Sequence, residues 1–170
     1  MLLVIDRQIG LFELVKDFEP VEYRNNILAH AALGKIFNLS TILTTSTDDG
    51  PKILDMHSDA PIIRRQGEVN ITLGGIVIDV CTAFLALSLL EKGYKVFANF
   101  EASGTHSRRS TDGANDRMRV GCWSERAVVT DLMGDWRQTL GYPESSSYFD
   151  QYFPVYGMVE RNFKVAAPSS

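Results

Sequence analysis

Short apolar runs alternate along this chain with longer stretches of helical spacing, and the alternation predicts an architecture. Leu2-Leu-Val-Ile5 is fully apolar and stops at Asp6, as a strand buried on both faces of a parallel sheet would. Glu19-Pro20 opens a helix, because proline in the first turn lacks only an N–H that would have no partner there. Tyr23, Ile27, Leu28, Ala31, Ile36 and Phe37 continue it at roughly helical spacing as far as Asn38. Ser40 to Thr45 is short and β-branched, a second strand, and Asp48-Asp-Gly-Pro51 breaks it as a loop. Pro61-Ile-Ile63 predicts a third strand and Ile71 to Val77 a fourth, the latter with an unusual Gly74-Gly75 inside it.

Thr82 to Lys92 is a largely buried helix that Gly93 stops at the position after its cap. Tyr94 to Ala98 forms the next strand, the polar stretch Ser103 to Arg119 holds a helix, and Ala127 to Thr130 forms a last strand. Strands alternating with helices imply an α/β domain of three layers, α/β/α, with a mainly parallel six-stranded sheet of Rossmann-like order 3-2-1-4-5-6. It is expected to occupy residues 1–140. From Gly141 the pattern changes: Tyr148, Phe149, Tyr152, Phe153, Tyr156 and Phe163 crowd a stretch rich in Pro, Ser and Gly, without a clear period. These six aromatic residues of an arm over 141–170 could pack over their own domain but are more economically buried against another subunit, so a homo-oligomer is expected.

Composition narrows the partners. The 170 residues carry 17 Lys and Arg against 21 Asp and Glu, a formal net charge of −4, which lacks the positive field that nucleic acid demands. The longest apolar runs are too short for a bilayer, and no basic region precedes the first strand, so a cytoplasmic protein is expected. Two cysteines, Cys81 and Cys122, form no CxxC pair and no cluster with histidine, so no metal and no cofactor are expected.

Cys81 is the residue most suited to chemistry. It follows the apolar Gly75-Ile-Val-Ile78 and directly precedes an apolar helix, whose terminal N–H groups and positive potential stabilise a thiolate. The same groups could hold the oxyanion formed when a thiolate attacks a carbonyl. An isolated cysteine is more often a small buried hydrophobe, and that reading stays open. Asp6 ends the first strand, and in order 3-2-1-4-5-6 it faces Cys81 across the crevice where the strand order reverses. There it could take the thiol proton and return it to a leaving group, although a loop aspartate bonded to nearby amides is equally in keeping with its place. Arg64 and Arg65 leave the third strand on the same edge; a guanidinium there would steady the carboxylate, although paired arginines are more often surface charge. Gln8 is a candidate amide donor in the same pocket.

These residues converge on a family. Asp6-Arg-Gln-Ile-Gly-Leu-Phe12 resembles the D-x-Q-x-x-F opening of the isochorismatase-like cysteine hydrolases, and Gly75-Ile-Val-Ile-Asp-Val-Cys81-Thr-Ala-Phe84 resembles their strand-to-nucleophile segment. Leu11 to Asn26, Leu39 to Ser46, Asp59 to Asn70 and Ala102-Ser-Gly-Thr105 are similar to the YcaC-type branch, and the likeness covers most of residues 1–140. The resemblance implies a triad of Asp6, Arg65 and Cys81, with arginine where most of the superfamily has lysine. It implies a cis peptide near Ile76–Val77 that aims backbone N–H groups at an oxyanion, with Ile76, Val77, Val80 and Gln8 lining the substrate. It also implies an octamer of two stacked tetrameric rings.

Departures from the pattern carry expectations too. The nicotinamidases of the superfamily hold a metal with a D-x-H motif and a further histidine, whereas His30, His57 and His106 stand apart here, so neither that metal nor that activity is expected. Glu101 stands where the family often has Asp, and Cys122 reads as structural. The chain is shorter than its resembling family near Pro51-Lys52 and between Asn70 and Ile71, where parallel strands would need a crossover of about a dozen residues. The expected activity is hydrolysis of a small molecule, at an amide-type C–N bond, through a covalent Cys81 intermediate. The alternatives are a redox or thiol-sensing module that hydrolyses nothing, and a catalytically silent ring scaffold. Which substrate is cleaved is not written in the motifs, since one scaffold hosts many chemistries.

Overall fold

The computed structural model describes residues 1–5, 9–44, 70–119, 122–123 and 142–166. The chain forms two compact units, Met1–Glu125 and Arg126–Ser170.

The first unit is built on a parallel sheet. Its strands are β1 (Leu2–Ile5), β2 (Thr41–Leu43), β3 (Asn70–Gly75), β4 (Lys95–Asn99) and β5 (Cys122–Trp123), in the order β2-β1-β3-β4-β5. Four of the six expected strands are thus described, Pro61–Ile63 lies outside the described residues, and a strand not expected brings the described total to five. The remaining order agrees with expectation. The last described strand is Cys122–Trp123, which the polar sequence around it concealed; the expected strand at Ala127–Thr130 also lies outside the described residues. Strand order reverses between β1 and β3, whose register pairs Val4 with Gly74 and Ile5 with Gly75.

Helices α1 (Ile9–Phe12), α2 (Pro20–Ile36), α3 (Ala83–Glu91) and α4 (Arg108–Arg117) are the α-helices among the described residues of this unit. Pro20 opens α2 as its composition predicts. Gly93 closes α3 at φ 80°, with the Tyr94 N–H on Leu89 O and the Gly93 N–H on Leu90 O, the paired bonds of a Schellman cap. Asn38 ends α2 in the same way at φ 47°, its N–H on Lys35 O and that of Leu39 on Gly34 O. Leu3, Ile5, Ile71, Leu73, Val96 and Ala98 meet Ala83, Ala86, Ala114 and Met118 in the main core. A smaller cluster gathers Val15, Tyr23, Ile27 and Ile76, with the rings of Phe12 and Phe18 centred 5.7 and 5.5 Å from that of Tyr23. His30 is fully buried, with Nε2 3.1 Å from Leu3 O and Nδ1 3.2 Å from Asn99 Nδ2, so a core role takes both ring nitrogens.

In the second unit, the region without a legible period is helical. Helix α5 (Pro143–Tyr152) and helix α6 (Pro154–Ala166) each begin at a proline, which restarts the chain after Phe153. Tyr148, Phe149, Tyr152 and Tyr156 recur one, three and four residues apart, a stripe that seals the hairpin. Tyr148 lies 5.2 Å from Tyr152, and Phe149 stacks on Tyr156 at 6.0 Å. Burial raises the Tyr152 phenol above its usual value. Glu160 is buried as well, accepting hydrogen bonds from Ser145 Oγ at 2.9 Å and Ser146 Oγ at 3.0 Å and pairing with Lys164 Nζ at 2.9 Å. No helix among the described residues is long and apolar enough to cross a membrane.

Candidate active site

The site is best built outward from the reversal of strand order, since the carboxyl ends of strands open there on a ligand crevice. β1 ends at Ile5 beside Gly75, the last residue of β3. A Cβ on Gly75 would lie 2.5 Å from Ile5 Cβ and 2.9 Å from Ile5 O, so the close approach of the two strand ends requires a bare backbone. That explains the glycine that looked out of place in a strand.

Beyond Gly75 the chain passes through Ile76 and Val77, joined by a cis peptide bond, into a π-helical turn, Ile78–Thr82, that runs directly into α3. Cys81 is the fourth residue of this turn, so the helical backbone starts earlier than the sequence suggests. The i→i+5 closure is made by the Thr82 N–H on Val77 O at 3.2 Å. No local signal in an apolar Val-Ile-Asp-Val run distinguishes such a turn from an extended strand. Cys81 is a partly buried thiol that packs against the main core.

Several N–H groups at this terminus already have acceptors. Ile76 donates to Ile5 O at 3.2 Å, Ile78 to Gly104 O at 3.1 Å and Val80 to Val77 O at 3.3 Å. The Ile76 and Val80 amides, from residues expected to line the substrate, thus have acceptors within the chain. Their hydrogens are spent on the strand end and on the turn itself. The Val77 N–H has no partner among the described residues. Val80 and Phe84, one turn apart, are exposed, and the Arg117 guanidinium lies 5.9 Å from the centre of the Phe84 ring.

A second segment grips the turn from its other side. Ile76 bridges to Gly104 in parallel fashion, and the Gly104 N–H donates to the Tyr23 hydroxyl at 3.2 Å. Thr105 donates its hydroxyl to Asp79 Oδ1 at 2.7 Å, and Arg117 Nη2 donates to Asp79 O at 2.9 Å. Asp17 anchors the segment in turn, accepting the Thr105 N–H at 2.9 Å and the Thr111 hydroxyl. Sequence reasoning missed Asp79, Thr105, Asp17 and Arg117. Their partners lie 26 to 94 residues apart, and the one hint was the stretch Ala102-Ser-Gly-Thr105. Asp6, Gln8, Arg64 and Arg65 lie outside the described residues. Of the expected site the structure thus brings together Cys81, Ile76, Val77 and Val80. Among the described residues, no three His, Cys, Asp or Glu side chains gather as a metal-ligand set.

Comparison with known proteins places this geometry. No family model matches the chain. It is 34% identical over 183 residues to a protein of Escherichia coli strain K12 described as "probable hydrolase YcaC", a match covering 91% of this chain and 86% of the relative. The structure of YcaC from Pseudomonas aeruginosa with hexane-2,5-diol and covalent acrylamide matches with a TM-score of 0.81 and 33% identity, covering 96% of this chain and 93% of that one. YcaC from Escherichia coli, described as an octameric hydrolase of unknown specificity, matches with a TM-score of 0.81 and 32% identity, over 98% of this chain and 94% of that one.

Proposed function

Because the chain belongs to the YcaC family of hydrolases, we propose that it is a cysteine hydrolase that cleaves an amide-type C–N bond of a small molecule through a thioester on Cys81. The observation that carries this reading is the position of Cys81, a partly buried thiol in the helical turn that leaves β3 at the reversal of strand order. A thiolate there draws on the positive potential of a helix start, which lowers the cost of its charge.

The remaining members of the triad come from the sequence. Asp6 is bonded to Ile5, the residue paired with Gly75, and Arg65 completes the set of acid, cation and thiol. In the proposed cycle Asp6 takes the Cys81 proton, and the sulfur forms a bond to the carbonyl carbon as the carbonyl π pair moves onto oxygen. The Val77 N–H and the helix terminus stabilise that oxyanion. When it collapses, the C–N bond breaks and the amine leaves with the proton from Asp6. Water, deprotonated by the same carboxylate, then attacks the thioester and releases the acid and the thiol. Arg65 keeps Asp6 ionised between turnovers, since a guanidinium stays charged at any working pH.

Acrylamide is the first probe, because the Pseudomonas relative carries it covalently. Intact-mass measurement is expected to show one acrylamide added, and peptide mapping to place it on Cys81 rather than Cys122. An amide panel is then expected to leave transient acyl adducts on the same residue. Acrylamide on Cys122 alone, or reversible oxidation of Cys81 with no turnover of any amide, would replace this reading with the thiol-sensing one.

The assembly proposed for this chain is a homo-octamer of two four-membered rings, like its octameric relative in stoichiometry. The supporting feature is a row on α6, Val155, Met158 and Val159, with exposures of 67, 52 and 47%. An apolar row of this kind is uncommon on a surface left in water. Light scattering is expected to report eight chains for the native protein and a smaller species for Met158→Asp. A monomer at micromolar concentration would refute the assembly.

A further inference from the structure

Thr105 lies outside every role assigned so far, yet its hydroxyl reaches the turn that holds Cys81. A threonine has one hydroxyl proton, and here it is donated to Asp79 Oδ1 at 2.7 Å. Towards His106 Nδ1, 3.2 Å away, Thr105 therefore accepts, so Nδ1 carries a proton, and Nε2 lies 3.2 Å from Ser110 Oγ. The result is a chain of polar groups, Ser110, His106, Thr105 and Asp79, that ends two residues before Cys81.

Thr105 is fully buried, and its peptide group is held independently of its hydroxyl: its N–H goes to Asp17 Oδ1, and its carbonyl accepts from the Lys16 N–H at 2.8 Å. The one hydroxyl proton is thus given to the turn, while the hydroxyl oxygen accepts from His106. In a turn closed by i→i+5 bonds, residues two apart project to roughly opposite sides, so a grip on Asp79 sets the direction in which Cys81 points. The charged groups gathered around this grip, among the described residues, are Arg117 from α4 on the Asp79 carbonyl and Asp17 from the segment ahead of α2.

We propose that Thr105 is a positioning residue for Cys81, acting through its hydrogen bond to Asp79 to hold the thiol at the start of the helix. This rests on the reading of Cys81 as the nucleophile. With the bond in place the sulfur stays in the positive end of the helix; without it the π turn rotates and the thiolate loses that field.

The test is the pH profile of Cys81 alkylation by iodoacetamide in the full chain, with peptide mapping to separate Cys81 from Cys122. The native protein is expected to show a midpoint below the ordinary thiol value of about 8.5. Thr105→Val, close in shape, is expected to raise the midpoint by about one unit, which slows alkylation about tenfold at lower pH. Thr105→Ser, which keeps the hydroxyl, is expected to restore the native profile, as loss of packing alone would not. Thr105→Ala carries the same expectation as valine and introduces no clash should the valine variant fail to fold. A native midpoint in either variant, or no restoration by serine, overturns the proposal. An ordinary midpoint in the native protein would instead tell against the nucleophile itself.

Discussion

Cys81→Ala is expected to lower turnover of any amide substrate by about a thousandfold or more, and to abolish the covalent adduct, while the fold survives. Alanine cannot form the thioester, so the only route left is direct attack by water. Structurally the change is mild, because Cys81 is only partly buried and removal of one sulfur leaves a small defect, worth about 1 kcal/mol. Cys122→Ala is the matching control and is expected to retain native turnover. Steady-state rates measured on both variants against an amide hydrolysed by the native chain decide the matter. Native turnover in Cys81→Ala would end the covalent mechanism.

Gly75→Ala is expected to be the most destabilising small substitution at this site, costing about 3 kcal/mol or preventing folding. The new methyl would stand 2.5 Å from Ile5 Cβ, 2.9 Å from Ile5 O and 3.1 Å from Thr82 Oγ1. Relief requires moving the backbone of β1, whose Ile5 O also accepts the Ile76 N–H. Gly113→Ala provides the contrast. Gly113 lies in α4 with nothing within 4 Å of an added Cβ, so alanine there is expected to stabilise by about 0.5–1 kcal/mol. Urea midpoints for the two variants should move in opposite directions. A native midpoint for Gly75→Ala would show that β1 and β3 can separate without cost.

What the amino-acid order discloses depends on the range of the interaction. Pro20, Gly93 and the apolar run Leu2–Ile5 act on their immediate neighbours, so the opening of α2, the cap of α3 and the first strand were legible. The order of the described strands was legible as well, because alternating strands and helices fit a Rossmann-like sheet whose order reverses beside the first strand. The π turn was not, since i→i+5 closure leaves no mark on composition. Nor was the Thr105 bond to Asp79, a contact that exists only once β3 and β4 lie side by side. Aromatic residues of the arm misled for a different reason. Interruption by Phe153-Pro154 splits one helical stripe into two, and a period broken midway does not register as a period.

Ser103 shows how β3 and β4 can part beyond the end of their ladder without cost to the sheet. Backbone pairing between β3 and β4 stops at Leu73 and Ala98, yet the Gly75 N–H is met at 3.2 Å by Ser103 Oγ, which donates at 2.7 Å to Asn99 O. One hydroxyl stands in for a missing peptide unit, so the strands part with donor and acceptor both satisfied. The parting of β3 from β4 is therefore a resting property of the scaffold, and β3 is left to run its last residues against β1 alone.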